Sequence, residues 1–276
     1  MENADDRLSV WERFDRDGYA IVRGFFAANE LALIGRAVDH VHAEGAAHGA
    51  SFRHGNLLYR LVDGDVRMVQ WPSYHNEALA AVRTDARFLD LLAPRLGCDI
   101  KQIINQLHWK RPGGKGDFAY HQDSRFRRPA EAYRNLGLSY VQTGLAIDPH
   151  DAPSGGLRVL PGSHRSGELP LSIDGAVIDN VAADAALVAA GLDPAGLVDI
   201  DLAPGDLALW SPYLVHGSGT NRSNHFRRFY INGYVRAVDC DRGEWAFRDG
   251  RPVPLGSEQA LVHYDDLHGR PEPHYV

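Results

Sequence analysis

The chain has 276 residues, 44% of them hydrophobic and 24% charged, which allows one large core and argues against wholesale disorder. Its 28 Gly and 15 Pro point to a turn-rich, strand-rich fold. The 29 Lys+Arg stand against 36 Asp+Glu, a net charge of −7, which argues against a general nucleic-acid or membrane-surface binder.

The N-terminus is acidic and lacks the apolar stretch of a secretory leader. Residues 8–14 open a short amphipathic helix that Gly18 ends. Residues 19–26 read as a strand. In 28–44, Leu31, Ile34, Val38 and Val41 recur at helical spacing. Two strand-like runs, 57–62 and 66–71, flank Asp63-Gly64-Asp65 and predict a hairpin. Residues 85–96 read as a helix with Phe88, Leu91 and Leu92 on one face. From Asp99 the texture changes: strand-like runs at 100–109, 118–122, 138–147, 157–160, 198–202, 206–210 and 228–235 alternate with Gly and Pro, the pattern of a sandwich or barrel.

The expectation is one domain over 1–276: a mixed helical and strand support region at 1–98, then a barrel core at 99–238. Between Leu171 and Asp201 there are six Asp and no Lys or Arg. The segment 171–197 reads as a solvated insertion with an Ala-rich helix, or as a lid over an active site. Cys98 and Cys240 cannot build a disulfide framework or a Cys-rich zinc site, and read as reduced, buried thiols. No run of 18 apolar residues occurs. The expected setting is the cytoplasm, with a small-molecule substrate and neither nucleic acid nor membrane as partner.

Chemistry enters at Tyr120-His121-Gln122-Asp123-Ser124. On a strand, positions i and i+2 share a face, so His121 and Asp123 are presented together and Gln122 points away. Two ligands do not close a metal site. His216, at a turn just after a predicted strand and before Gly217-Ser218-Gly219, supplies a distant third. Two His and one carboxylate on one face of an octahedral ion are the facial triad of non-haem Fe(II) oxygenases, whose open positions take a bidentate cosubstrate and O₂. Taken alone, His121 reads better as a structural histidine than as a ligand. Arg227 favours the metal site, because a buried guanidinium 11 residues after His216 could grip a dicarboxylate bidentately, with Ser218 bonding the same group. Arg228 would take that role if the strand register slipped by one. His108, His150, His164 and His225 read as structural, and Trp210 reads as core packing.

His121-Gln122-Asp123, then Gly156-Leu157-Arg158-Val159-Leu160-Pro161-Gly162-Ser163-His164-Arg165, then His216-Gly217-Ser218-Gly219 with Asn221, Arg222, Ser223 and Arg227 form one ordered pattern. In these motifs the chain resembles the phytanoyl-CoA dioxygenase family of Fe(II)/2-oxoglutarate oxygenases, over roughly residues 19–235. The resemblance implies a double-stranded β-helix, a jelly-roll, cupin-like barrel flanked by N-terminal helices: α+β, mainly β. It implies that His121, Asp123 and His216 bind Fe(II), and that Arg227 and Ser218 hold the distal carboxylate of 2-oxoglutarate. Gln142 matches a position lining that pocket, and Asn105 or Gln106 should touch the cosubstrate as well. The reaction implied is hydroxylation of an unactivated C–H with release of succinate and CO₂. Related halogenases carry a small residue at the carboxylate position, so Asp123 argues for hydroxylation.

Residues 101–128 hold Lys101, Lys110, Arg111, Lys115, Arg125, Arg127 and Arg128 against Asp117 and Asp123 alone. In an acidic chain this suggests an anionic substrate: a carboxylate, a phosphonate or an acyl thioester. A solvated basic loop is the alternative reading. Arg125 and Lys110 are the candidate substrate-binding residues. The competing functions are a metal-dependent non-redox barrel enzyme, such as a lyase or isomerase, and a degenerate binding module.

Overall fold

The computed structural model describes residues 8–114, 116–171, 176–178, 180–260 and 272–276. The residues before Leu8, Lys115 and part of the 171–197 segment therefore lie outside the described residues. The chain begins with helix α1 (Val10–Asp17), strand β1 (Tyr19–Val22), helix α2 (Ala28–His48) and strands β2 (Phe52–His54), β3 (Leu57–Val62) and β4 (Asp65–Gln70). Helices α3 (Glu77–Arg83) and α4 (Ala86–Leu96) lead to β5 (Ile100–Lys110) and β6 (Phe118–His121). A helical turn, α5 (Leu136–Ser139), precedes β7 (Tyr140–Ala146), β8 (Leu157–Val159) and α6 (Asp184–Ala189). The described chain closes with β9 (Val198–Asp199), β10 (Leu207–Trp210), β11 (His216–Ser218), β12 (Arg227–Arg236), β13 (Glu244–Arg248), β14 (Arg251–Pro252) and β15 (His274–Tyr275).

These elements gather into two compact units. The first holds the chain up to Phe25, Lys110–Arg128 and Val141–Arg227. Within it β10 pairs antiparallel with β1 on one side and β7 on the other. A second, four-stranded sheet runs β6-β11-β8-β9, antiparallel throughout. Every residue of β7 and β10 is buried, as expected for apolar strands rich in Leu, Val and aromatic side chains. Helix α1 forms because Ser9 and Glu12 make a reciprocal capping box, with bonds of 3.2 and 2.7 Å, and it stops at Gly18 as its sequence predicts.

The second unit holds Phe26–Trp109, Pro129–Tyr140 and the described chain from Arg228 onward. Strands β5, β4, β3, β2 and β15 pair antiparallel in that order, and β13 also pairs with β5. The β3–β4 hairpin turns through Asp63 and Gly64, both at positive φ (51° and 78°), the two-residue turn whose twist matches its strands. Helices α2, α3 and α4 belong to this unit, and α2 buries Leu31, Ile34, Val38 and Val41 as its spacing predicts. Arg83, at the end of α3, is buried and donates to Gln102 Oε1 (2.7 Å), the Trp245 carbonyl (2.6 Å) and the Val253 carbonyl (3.0 Å).

Several local expectations change. The strand expected over 19–26 ends at Val22. The strand expected from Leu138 begins at Tyr140, because Leu136–Ser139 makes a helical turn that leaves Leu138 64% exposed. Cys240 is buried, but Cys98 is exposed just beyond the end of α4. No described helix is long and apolar enough to cross a membrane.

Candidate active site

The site is built where β6 and β11 lie side by side. His216 is the first residue of β11 and sits directly opposite His121, the last residue of β6. The sequence placed His216 in a turn. A three-residue His-Gly-Ser strand has little propensity of its own and exists because β6 and β8 pair with it from both sides. Asp123 also departs from expectation. The strand ends at His121, and Asp123 opens a 3-10 turn over Asp123–Phe126 whose Ser124 N–H is held by the Pro212 carbonyl at 2.9 Å. Gln122 remains extended (φ −116°, ψ 137°), so the alternation still holds across it. Its amide donates to the Gly167 and Tyr213 carbonyls (2.8 and 2.6 Å) and accepts from the Leu169 N–H (2.7 Å).

His121, Asp123 and His216 are 5%, 8% and 5% exposed, and their ligand atoms lie within 4.8 Å of one another. Each imidazole places Nδ1 against a carbonyl, Ala119 at 2.8 Å for His121 and Leu214 at 2.9 Å for His216. A carbonyl can be satisfied only by an N–H, so each Nε2 carries the lone pair and faces the cluster. Asp123 Oδ1 is 3.7 Å from His121 Nε2 and 3.8 Å from His216 Nε2. Those separations are too long for hydrogen bonds. They suit donors sharing an ion through bonds of about 2.0–2.2 Å. Two imidazoles and one carboxylate are the donor set of a non-haem Fe(II) centre.

The electrostatics suit a cation. Burial and the neighbouring His121 push the His216 imidazole down to about 4, which keeps it neutral and able to ligate at physiological pH. Burial alone would raise the Asp123 carboxyl. His216, His121 and Arg127 outweigh it and hold the group well below the usual carboxylate range.

A second cluster adjoins the first along β11, because Ser218 follows His216 by two and shares its face. Ser218 Oγ accepts from Lys110 Nζ at 2.7 Å. Lys110 Nζ also donates to the Gly155 carbonyl at 3.2 Å, and Arg227 Nη2 donates to that same carbonyl at 3.2 Å. Burial lowers the pKa of the Arg227 guanidinium, and the Asp148 charge partly restores it. Lys110, Ser218 and Arg227 are all buried. Arg227 is buried in the first unit, whereas Arg228 lies in the second, where it pairs with Asp39 at 2.7 Å.

The remaining candidates distribute as follows. Gln142 is buried on β7, paired in register with Trp210 of β10. Asn105 and Gln106 belong to the second unit. There Asn105 donates to Tyr230 Oη (2.6 Å) and Asn232 Oδ1 (2.8 Å), and Gln106 meets His108 at 3.1 Å. Arg125 lies 5.6 Å from the centroid of the Phe126 ring, and that ring packs edge-on to His121 at 5.7 Å. His150 accepts from the Leu157 N–H at 2.7 Å and His164 meets the Asp15 carbonyl at 3.2 Å, consistent with structural roles.

Sequence reasoning assigned Trp210 to packing alone. Its Nε1 donates to Asp123 Oδ2 at 3.0 Å, which occupies one carboxylate oxygen and leaves Oδ1 facing the imidazoles. The available signal was the rule that a buried indole N–H needs an acceptor. Trp210→Phe should weaken Fe(II) binding about 10- to 100-fold, the usual cost of losing a partner that orients a ligand. Calorimetric titration of Fe(II) under argon checks this, and an unchanged affinity would return Trp210 to packing.

Residues 14–229 match the profile of the family described as phytanoyl-CoA dioxygenase (PhyH). A probable alpha-ketoglutarate-dependent hypophosphite dioxygenase of Stutzerimonas stutzeri is 26% identical over 234 residues, covering 80% of this chain and 75% of that one. A 2-aminoethylphosphonate dioxygenase of an uncultured bacterium is 31% identical over 147 residues, covering 53% of this chain and 50% of that one. The crystal structure of EctD from S. alaskensis with 2-oxoglutarate and 5-hydroxyectoine superposes with a TM-score of 0.64 at 21% identity, covering 95% of this chain and 89% of that one. At that identity the likeness concerns the fold, which is the jelly-roll, cupin-like barrel that the motifs implied.

Proposed function

This chain belongs to the phytanoyl-CoA dioxygenase family of non-haem iron, 2-oxoglutarate-dependent dioxygenases, and from that premise we propose that it hydroxylates an unactivated C–H bond of a small anionic metabolite. The observation that carries the reading is the placement of His216 and Ser218 on one face of one short strand. The three-donor cluster and the Lys110–Ser218–Arg227 cluster thereby adjoin, as a chelating dicarboxylate requires. A lyase, an isomerase or a degenerate binding module has no use for a buried cationic pocket at that spacing.

In this reading His121, Asp123 and His216 hold Fe(II) through two Nε2 atoms and Oδ1. Fe(II) held there would, with 2-oxoglutarate and O₂, supply the oxidising power that an unactivated C–H demands, with succinate and CO₂ as co-products. Trp210 keeps the carboxylate turned, and the burial of the three ligands limits access of bulk water. Arg227 and Ser218 take the distal carboxylate of 2-oxoglutarate, which fixes the orientation of its chelating end. Gln142 lines the same pocket. Arg125 binds the anionic group of the substrate, with the Phe126 ring as an apolar wall between that group and His121. The two phosphorus-acid relatives support an oxyanion as the recognised group.

The test is succinate release from 2-oxoglutarate by the Fe(II)-loaded protein, screened against carboxylates, phosphonates and acyl thioesters, with the hydroxylated product identified by mass spectrometry. A matched yield of succinate and hydroxylated product is expected for one anionic class. Tight Fe(II) binding without succinate for any candidate would favour the non-redox alternative. For the substrate found, Arg125→Ala should raise KM about tenfold or more, the cost of a hydrogen bond to a charged group, while substrate-free turnover of 2-oxoglutarate stays unchanged.

A further inference from the structure

Lys110 is the last residue of β5 and is 1% exposed, a burial that a lysine tolerates only when its ammonium is fully bonded. Its partners are Ser218 Oγ at 2.7 Å, the Gly155 carbonyl at 3.2 Å and the Gly219 carbonyl. An ammonium has three donors and no acceptor, so the direction of each bond is fixed. In particular, Ser218 Oγ is the acceptor in its bond with Lys110. The Ser218 proton must then be given elsewhere, and among the described residues it has no acceptor. A buried hydroxyl proton with no acceptor is costly unless a ligand supplies one.

The backbone around this ammonium is tightly built. Gly155 has φ +69°, and a Cβ there would lie 2.4 Å from the Gly219 carbonyl oxygen and 2.9 Å from the Thr220 carbonyl carbon. Only glycine lets the two loops approach closely enough for both carbonyls to reach Nζ. The side chain of Asn221 donates to the Lys110 carbonyl at 2.9 Å, which ties the same loop to the end of β5. The Gly155 carbonyl accepts from both Lys110 and Arg227, at 3.2 Å each, so the two positive charges converge on one oxygen.

We infer that Lys110 is a positioning residue of the cosubstrate pocket: it fixes Ser218 as a hydrogen-bond donor toward the distal carboxylate of a five-carbon 2-oxo dicarboxylic acid and adds a second positive charge beside Arg227. The inference rests on the assignment of Arg227 and Ser218 to that carboxylate, and it assigns Lys110 to the cosubstrate rather than to the substrate. It also explains selectivity. A hydroxyl whose oxygen already accepts from an ammonium turns its proton toward the ligand side, so the pocket favours an acceptor, negatively charged end. A 2-oxo acid without the distal carboxylate gains nothing from Lys110.

The test uses the full chain loaded with Fe(II) under argon, titrated calorimetrically with 2-oxoglutarate and with pyruvate, which has the chelating end alone. Lys110→Met should weaken 2-oxoglutarate binding about tenfold or more and leave pyruvate binding unchanged, since a lost hydrogen bond to a charged group has roughly that effect. Ser218→Ala should weaken 2-oxoglutarate as well. In the Ser218→Ala background the cost of Lys110→Met should shrink at least about threefold, the signature of one residue acting through another. If Lys110→Met folds poorly, judged by its melting temperature and Fe(II) binding, Lys110→Gln takes its place: it keeps a donor, loses the charge and should fall between wild type and Met. Equal losses for 2-oxoglutarate and pyruvate would make Lys110 a structural strut and overturn the inference. So would equal costs in the two Ser218 backgrounds, or an unaltered 2-oxoglutarate affinity. Arg227→Ala, run in parallel, separates the premises: if it is harmless, the pocket assignment itself falls; if it is severe while Lys110→Met is harmless, only the role of Lys110 falls.

Discussion

Asp123→Ala should abolish turnover and reduce Fe(II) affinity by more than the roughly 10- to 100-fold that removal of an orienting partner costs. Asp123 supplies the single negative charge among the three donors, and its Oδ1 is the atom that faces both imidazoles, at 3.7 and 3.8 Å. The alanine variant carries a second defect. It strips the acceptor from Trp210 Nε1 (3.0 Å), and a buried N–H left without a partner costs about 1–3 kcal/mol of stability. Asp123→Asn separates the two effects. Its amide oxygen can still accept from Trp210, so its melting temperature should stay near that of wild type, but the charge is gone and Fe(II) binding should fall nearly as far as in alanine. Calorimetric Fe(II) titration with thermal unfolding of the metal-free protein distinguishes these outcomes. Retained turnover of 2-oxoglutarate in Asp123→Ala would show that the carboxylate is not a required ligand.

The contrast between those variants marks what the chain discloses before it folds. Local chemistry was readable: the Ser9–Glu12 capping box, the Asp63-Gly64 turn and the α2 stripe each involve neighbours within a few residues. The three side chains that cluster were readable too, because His-x-Asp and a later His carry residue types that a metal demands. Their settings were not. His216 lies in a strand only because β6 and β8 flank it, and Asp123 leaves its strand only because Ser124 bonds Pro212, 88 positions further along in sequence. The Trp210–Asp123 bond spans 87 residues and depends on where β10 runs in its sheet. Lys110 was legible as a charge but not as a partner of Ser218, 108 residues away. Strands β13 and β14 escaped notice because Glu244, Arg248 and Arg251 break the apolar pattern, and the pairing of β13 with β5 supplies what propensity lacks.

Arg227→Ala should raise the KM for 2-oxoglutarate by about two to three orders of magnitude or more, because leaving one partner of a buried charge pair unpaired costs on the order of 3–5 kcal/mol. Fe(II) binding should be nearly intact, since no atom of Arg227 belongs to the three-donor cluster. Arg227→Lys should restore part of the affinity. An ammonium keeps the charge but cannot reproduce the planar fork that meets a carboxylate with two parallel bonds. The neighbouring arginine is the control. Arg228 pairs with Asp39, whose side chain is 68% exposed, and exposed pairs of this kind are worth about 0–1 kcal/mol. Arg228→Ala should therefore leave the KM for 2-oxoglutarate unchanged and lower stability only slightly. The two substitutions differ by one position in sequence but fall in different units of the structure. A severe KM defect in Arg228→Ala beside a normal Arg227→Ala would move the clamp by one residue and require β12 to pair in a different register.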